Sequence, residues 1–476
     1  MIAVGALAAC TVGGFEIGRS REIERGEQAA AAIEEQIGLV DHPALQQYIE
    51  AVGRRLAETS PRTGLAYQFR LLDMPDPNAF ALPGGGVFVT RGLLVYLNDE
   101  DELASVLGHE IGHVVARHHA KQVLRSAPLA PLRIATGIGG ALAAVVSPTL
   151  GHTLSATGQL ASALVLAPYS REQEREADRI GQRLAADSGW NPDAMSAFME
   201  TLGREEELRG GDPNRASFLA THPASAERGR AAHRYAAELV RSERAPIAPG
   251  RRAFLDRLVG ILVGRSADEG VFDGNDFLHP GLEFAVTLPA GWEQLNQDDY
   301  VGALEREHSW GVIVAVAAEG DDPMAVAREA GRRLRSTHAA EATEISGLRA
   351  ARSRARESNV SAELTWISHG GLVYLVNGFA PTRDFARVHP QLRRAADSFR
   401  ALSAGERSRI REDQLAVAEA RADETLATLL ERQGSRWTAD EAAIANAILP
   451  NTRLGTGQPL KITRPVPMPN RPGETR

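Results

Sequence analysis

Asp99-Glu100-Asp101-Glu102-Leu103-Ala104-Ser105-Val106-Leu107-Gly108-His109-Glu110-Ile111-Gly112-His113 is the stretch on which the reading of this chain turns. Asp99 and Glu102 stand in capping-box spacing, and Leu103, Val106 and Leu107 fall on one helical face, so a helix is predicted to open here. His109 and His113 are four apart, about 400° around the axis, which leaves them roughly 40° apart on one face. Two imidazoles so placed reach one tetrahedral cation, and Glu110 is set to address water on that cation, not the cation itself. A helix with two surface histidines and a solvated glutamate spells the same pattern, so the motif alone does not decide the class.

The third ligand decides it. His119 falls where a HExxHxxGxxH pattern ends, but that pattern needs a glycine at position 116 to break the helix, and the residue there is Ala116. On an unbroken helix His119 lies about 240° around from His113 and faces away. His118 and His119 therefore read as exposed residues or as neighbours that support the ligands. The better source is Ser170-Arg171-Glu172-Gln173-Glu174-Arg175-Glu176-Ala177-Asp178 on a helix predicted from about Arg171 to Ser188. Glu174 and Asp178 share a face there. One carboxylate binds the metal while the other accepts an N–H from a ligating histidine and fixes its tautomer; Glu174 is the preferred ligand. Glu172 and Glu176 point elsewhere and read as solvated. Without the upstream motif, the segment would be an ordinary charged helix.

Upstream, helices are expected over Ala29 to Ile37 and Ala44 to Leu56. A strand follows over Tyr67 to Leu72, a turn at Pro75 to Pro77, and a short strand at Val87-Phe88-Val89 after Gly84-Gly85-Gly86. Asn78-Ala79-Phe80-Ala81-Leu82-Pro83-Gly84-Gly85, the HExxH helix and the Glu174-Arg175-Glu176-Ala177-Asp178 stretch together resemble the gluzincins of metallopeptidase family forty-eight. The resemblance covers roughly residues 20 to 245. It implies a zinc-dependent endopeptidase with one Zn2+ per chain on His109, His113 and Glu174, Glu110 as general base and Asp178 behind a ligand. The family's downstream His-Pro and following Arg are matched by His222-Pro223 and Arg228. By that likeness His222 is a fourth ligand in a latent state or a transition-state donor, with Arg228 assisting. Pro223 is also a good first residue of a helix, which offers a plain capping role for the region. Gly85, Gly86 and Val87 are expected to form an edge that pairs with extended substrate backbone, favouring unfolded substrates. A structural hairpin strand is the alternative.

The expected fold class is α+β and multidomain. A mainly helical zincin-type protease domain with a small edge-strand sheet (20–250) precedes an α+β accessory domain (270–402). A small βααβ LysM-like module (413–464) follows a charged linker, Ala404 to Asp413, and a Pro-rich tail closes the chain (465–476). In the accessory domain, Leu282 to Leu288, Val312 to Ala317, Glu363 to Ile367 and Leu372 to Val376 read as strands. Ser368-His369-Gly370-Gly371 reads as a hairpin turn, and Asp322-Pro323 caps one of two helices. Ala422-Asp423-Glu424-Thr425-Leu426 and Leu454 to Ile462 resemble the ends of a LysM domain, which implies binding to peptidoglycan.

Cys10, the lone cysteine, follows Leu7-Ala8-Ala9 in the manner of a bacterial lipobox, so residues 1–10 read as a lipoprotein signal-like segment with lipidation at Cys10 and a membrane anchor. Met1 to Ala9 has no Lys or Arg and is short for a signal, which places the expected start upstream. Ile134 to Ser170 carries no Asp, Glu, Lys or Arg, but its glycines and Ser147-Pro148 break it into pieces shorter than the about 20 residues of a membrane span. With a formal net charge of -8 and no basic block, nucleic acid is excluded as a partner. Together these features point to a periplasmic, outer-membrane lipoprotein of a Gram-negative bacterium that acts on unfolded or misfolded envelope proteins. The rival from another class is a cell-wall-binding chaperone or adaptor with a structural zinc site.

Overall fold

The computed structural model describes residues 5–118, 169–210, 217–223, 226–297, 300–334 and 338–468, with side chains from residue 20 onward. His119, the charge-free segment up to residue 168 and the Cys10 side chain lie outside these. Contacts divide the chain into two units, one holding the described residues up to 265 together with 413–466, the other residues 266–412. Among the described residues, no helix is long and apolar enough to cross a membrane.

In the first unit, α1 (Gly5–Ile37) is followed by α2 (Pro43–Ala57), which His42 caps by accepting from the Leu45 N–H at 3.2 Å and Pro43 starts. Leu45, Tyr48, Ile49, Val52 and Leu56 repeat at helical spacing and are all buried. Strands β1 (Gln68–Leu72), β2 (Ala79–Ala81) and β3 (Gly86–Thr90) form a small sheet in the order β1-β3-β2. This corrects one expectation. Gly86 and Val87 pair with Gln68 and Phe69 of β1 on one side, and Val87 also faces Ala81 of β2 on the other. The Gly85 carbonyl accepts from Gln68. Residues 85–87 are thus the middle of the sheet, because the chain returns through β2 before β3 is laid down. The edge is β2 instead. Thr90 N donates to Asn78 O at 3.0 Å and Leu82 N to Gly86 O at 2.7 Å. By antiparallel alternation, the backbone groups of Ala79 and Ala81 turn away from β3.

After α3 (Arg91–Leu94), α4 (Glu100–Val115) carries the HExxH motif, with Asp99 Oδ1 accepting from the Glu102 N–H at 2.8 Å. It packs on α5 (Arg171–Asp187), which a complete Ser170–Gln173 capping box opens. Then come α6 (Ala194–Leu208), α7 (Phe218–Thr221), α8 (Ala226–Ala236), α9 (Gly250–Leu258) and β4 (Leu262–Val263).

The second unit has β5 (Val271–Asp273), β6 (Asp276–His279), β7 (Phe284–Thr287), β8 (Glu293–Asn296), β9 (Tyr300–Glu305), β10 (Trp310–Glu319), α10 (Pro323–Arg333), β11 (Glu341–Ile345), β12 (Leu348–Glu357), β13 (Val360–His369), β14 (Leu372–Pro381), α11 (Thr382–Asp397) and β15 (Arg400–Ala401). A seven-stranded antiparallel sheet runs β11-β12-β13-β14-β10-β9-β8, beside a four-stranded sheet β15-β7-β6-β5. Ala327 and Ala330 of α10 pack on Trp366 and Leu375; Val388 and Leu392 of α11 pack on Ile367 and Tyr374. Neighbouring strand residues face opposite ways, so the two helices cover opposite faces. The stretch expected to be a charged linker is instead α12 (Ala404–Arg409), because Ser403 and Glu406 complete a capping box.

In the first unit again, β16 (Arg411–Glu419), α13 (Leu426–Gln433), α14 (Ala439–Ala445) and β17 (Pro459–Pro467) have βααβ order, with sheet order β17-β16-β4. This module is built into the same unit as the metal-motif helix. The fully buried Lys461 of β17 donates to the carbonyls of Val95 and Leu97 at 2.7 and 2.6 Å, and Arg204 of α6 donates to Ile448 O at 2.7 Å.

Candidate metal centre

Three glycines bring the chemistry together. A Cβ on Gly112 would stand 2.7 Å from Ala177 O, one on Gly181 2.7 Å from His109 N, and one on Gly108 3.0 Å from Gly181 O. Helices α4 and α5 therefore touch backbone to backbone, closer than side chains would permit, and the carboxylates of α5 reach the imidazoles of α4.

His113 Nε2 lies 3.0 Å from His109 Nε2 and 3.3 Å from Glu174 Oε1; His109 Nε2 lies 3.7 Å from Glu174 Oε2. His222 Nδ1 completes the group, 3.2 Å from His109 Nε2 and 3.0 Å from Glu174 Oε1. All four residues are buried and offer donor atoms within 4.8 Å of one another. Tetrahedral zinc with bonds of 2.0–2.1 Å spaces its ligands by about 3.3 Å. The set fits such an ion in spacing and in kind. Imidazole nitrogens facing each other in a dry site repel unless a cation or a proton lies between them, and such an ion would supply that charge.

The surroundings hold the donors in place. His109 Nδ1 meets Asp178 Oδ1 at 3.0 Å. Arg228 donates from Nε and Nη2 to the two Asp178 oxygens, at 2.6 and 2.7 Å, and its Nη1 pairs with Glu174 Oε2. Its guanidinium thus bridges the two carboxylates of α5. Burial alone would push Glu174 up, but His222, His113 and His109 outweigh it and hold the carboxyl well below the usual range. Asp178 is likewise pulled down, against burial, by Arg228 and His109. Glu110 goes the other way. Burial pushes its carboxyl up, against the pull of His222 and His109. Neither Glu110 oxygen has a well-formed hydrogen bond to a described residue; His222 Nε2 lies 3.5 Å from Oε1, and the Ala81 N–H of the edge strand also acts on it.

His222 sits at the C-cap of α7, whose Ser217 cap and Phe218 N–H to Pro77 O bond of 2.8 Å anchor it. Its ring stacks on Phe218 at 4.4 Å between centroids. Tyr169, which sequence reading missed, stacks on His113 at 3.9 Å and lies 5.2 Å from the His222 ring, while its N–H donates to Thr221 O at 3.1 Å. An aromatic residue just before the cap of the carboxylate helix was the signal available. His118 is fully buried against His113, the supporting place that was one of its two readings, and Glu176, expected to be solvated, turns one oxygen to it.

A HExxH helix whose third ligand is a glutamate on a following helix defines a gluzincin-type metallopeptidase domain. Residues 43–236 match the model of Peptidase family M48. The β-barrel assembly-enhancing protease of Escherichia coli (strain K12) is 33% identical over 214 residues, 45% of this chain and 43% of that protein. The mitochondrial metalloendopeptidase OMA1 of Schizosaccharomyces pombe is 34% identical over 181 residues, 38% and 50% of the two chains. The OMA1 metalloendopeptidase of Bos taurus is 37% identical over 160 residues, 33% and 30%. The matches span half or less of these relatives' length.

Proposed function

We infer that this protein is a zinc metalloendopeptidase that hydrolyses peptide bonds in unfolded or misfolded envelope proteins. The observation that carries this reading is the convergence of His109, His113, Glu174 and His222 with the Glu110 carboxylate beside them. When bound, zinc supplies Lewis-acid activation of water and of the scissile carbonyl. Glu110, raised by burial, takes the proton of the attacking water and passes it to the leaving nitrogen. Asp178 holds the Nδ1 proton of His109, and Arg228 keeps Asp178 and Glu174 in register. The backbone of Ala79 and Ala81 on β2 pairs with substrate in extended form, which favours chains that are already unfolded.

His222 would serve as a latch, its Nδ1 held beside Glu174 and His109 as a fourth donor to the metal until substrate or a partner draws it away. The relative named for β-barrel assembly supports a place in the periplasm, with Cys10 as lipid anchor to the outer membrane. The βααβ order supports a LysM-like module that holds peptidoglycan. Lipid labelling that fails to distinguish the full-length protein from Cys10→Ala would remove the anchor, and sedimentation with isolated peptidoglycan tests the module.

A second reading is favoured by the four-donor set itself. Closed four-ligand zinc sites are usually structural, as a cell-wall-binding chaperone or adaptor would need. Degradation of casein with and without a zinc chelator separates the two. Chelator-sensitive cleavage restored by zinc supports the enzyme; absence of cleavage from a zinc-loaded protein, including a His222→Ala variant, defeats it.

A further inference from the structure

We propose that His118 and Glu176 form a tether that positions His113 for the metal, a second support alongside the Asp178 contact to His109. This rests on the metal-site reading above and adds two residues to it.

The tether begins where α4 ends. The helix stops at Val115, and Arg117 takes a left-handed backbone with φ of 56°, a conformation that a residue with a long side chain adopts only when its surroundings hold it. The reversal brings His118 back over the last turn. A straight helix would have carried it off to another face, which is why spacing alone did not reveal it. Its ring meets His113 edge-on, with centroids 5.0 Å apart and planes at 70°, and no part of His118 is exposed.

The protons along the tether follow from its order. His113 turns Nε2 toward His109 and Glu174, so as a neutral ligand it carries its proton on Nδ1. That Nδ1 lies 2.9 Å from His118 Nδ1. His118 Nδ1 must therefore accept, which leaves the His118 proton on Nε2. From there it is donated to Glu176 Oε2 at 3.1 Å. The line ends on a carboxylate whose side chain is 54% exposed. His109 has the shorter arrangement, a direct contact with buried Asp178. Tyr169, stacked on His113, stops the ring from tilting out of that line.

Partners of this kind fix the orientation of a ligating imidazole, and their loss typically costs 10- to 100-fold in metal affinity or activity. The test uses the full chain loaded with zinc or Co2+ and reads metal loss to excess chromogenic chelator, together with the visible absorption of the Co2+ form. His118→Phe fills the space but accepts nothing, so metal loss should speed up roughly 10- to 100-fold and the Co2+ bands should shift. His118→Asn puts Oδ1 where Nδ1 stood and should recover most of the parent rate. Should His118→Asn prove as impaired as His118→Phe, packing explains the effect and the tether is overturned. Glu176→Ala alters a half-exposed side chain outside the core and should speed loss several-fold; a rate equal to the parent's overturns the proposal by itself, whether or not His118→Phe folds. A parent chain that holds neither zinc nor Co2+ defeats the metallopeptidase reading instead.

Discussion

Gly181 and His109 are in backbone contact across the α4–α5 crossing, with room for nothing larger than hydrogen: a Cβ on Gly181 would stand 2.7 Å from His109 N. Glu174 and Asp178 lie on the same helix as Gly181, seven and three positions before it. Gly181→Ala must push α5 off α4 and carry Glu174 and Asp178 with it. Overpacking of this kind costs about 1–3 kcal/mol. The expected outcome is a lower melting temperature and a loss of bound zinc, read by metal analysis of the purified chain. A variant with a full complement of zinc and unchanged melting would mean that the crossing does not set the ligand spacing.

Glu110 stands outside the ligand set, with its nearest imidazole nitrogen 3.5 Å away. Its replacement should therefore separate binding from chemistry. Glu110→Gln is expected to keep its zinc and to lose about 10²- to 10⁴-fold in the rate of casein cleavage, the usual worth of a positioned general base. Substantial retained cleavage would take Glu110 out of the reaction.

The parts legible in the sequence are those governed by helical periodicity within one segment. The four-residue steps from His109 to His113 and from Glu174 to Asp178 each define a face, and the crossing only has to bring the two faces together. What stayed hidden depends on departures from regularity or on contacts distant in the chain. Nothing in the spacing announces that Arg117 turns left-handed and returns His118 to His113. Sheet order is not a periodic signal either, so the run from Gly85 to Val87 read as an edge although β1 and β2 close on both of its sides. The glycines at 108, 112 and 181 were visible as letters, but their meaning lies in the partner helix.

His222 Nδ1 stands as close to Glu174 as a fourth ligand would, and its ring is clamped on Phe218. A metal with four protein donors has no position left for a nucleophile, so removing one should open the site. His222→Ala is expected to retain zinc on the remaining three ligands and to cleave a quenched peptide or casein several-fold faster than the parent. A fall in rate with zinc retained would instead make His222 a donor to the transition state and end its role as a latch.

The lysine that joins the βααβ module to the turn between α3 and α4 gives a test by pH. Lys121 and Lys461 are the only lysines among 53 basic side chains, and Lys461 is fully buried with its ammonium on two carbonyls. A compact three-donor tip suits such a socket better than a planar guanidinium. Nearby, Glu102 accepts from the Asn98 N–H at 2.7 Å. Burial, and then the charge of Asp99, push its carboxyl up to about 7, against the pull of Lys461 and Arg251. Below the ordinary carboxyl value of 4.5 the group is protonated in both folded and unfolded chains. Between there and about pH 7 the unfolded chain releases the proton while the folded chain keeps it, so stability falls as pH rises, and it levels off above that window. The size of the fall is on the order of 3 kcal/mol. Glu102→Gln keeps the acceptor for Asn98 without the charge. Its melting temperature relative to the parent should therefore climb from pH 4.5 to 7 and then stay level. A difference that is flat across that range would show that Glu102 does not hold a proton in the folded protein, and that it faces Lys461 as an ordinary ion pair.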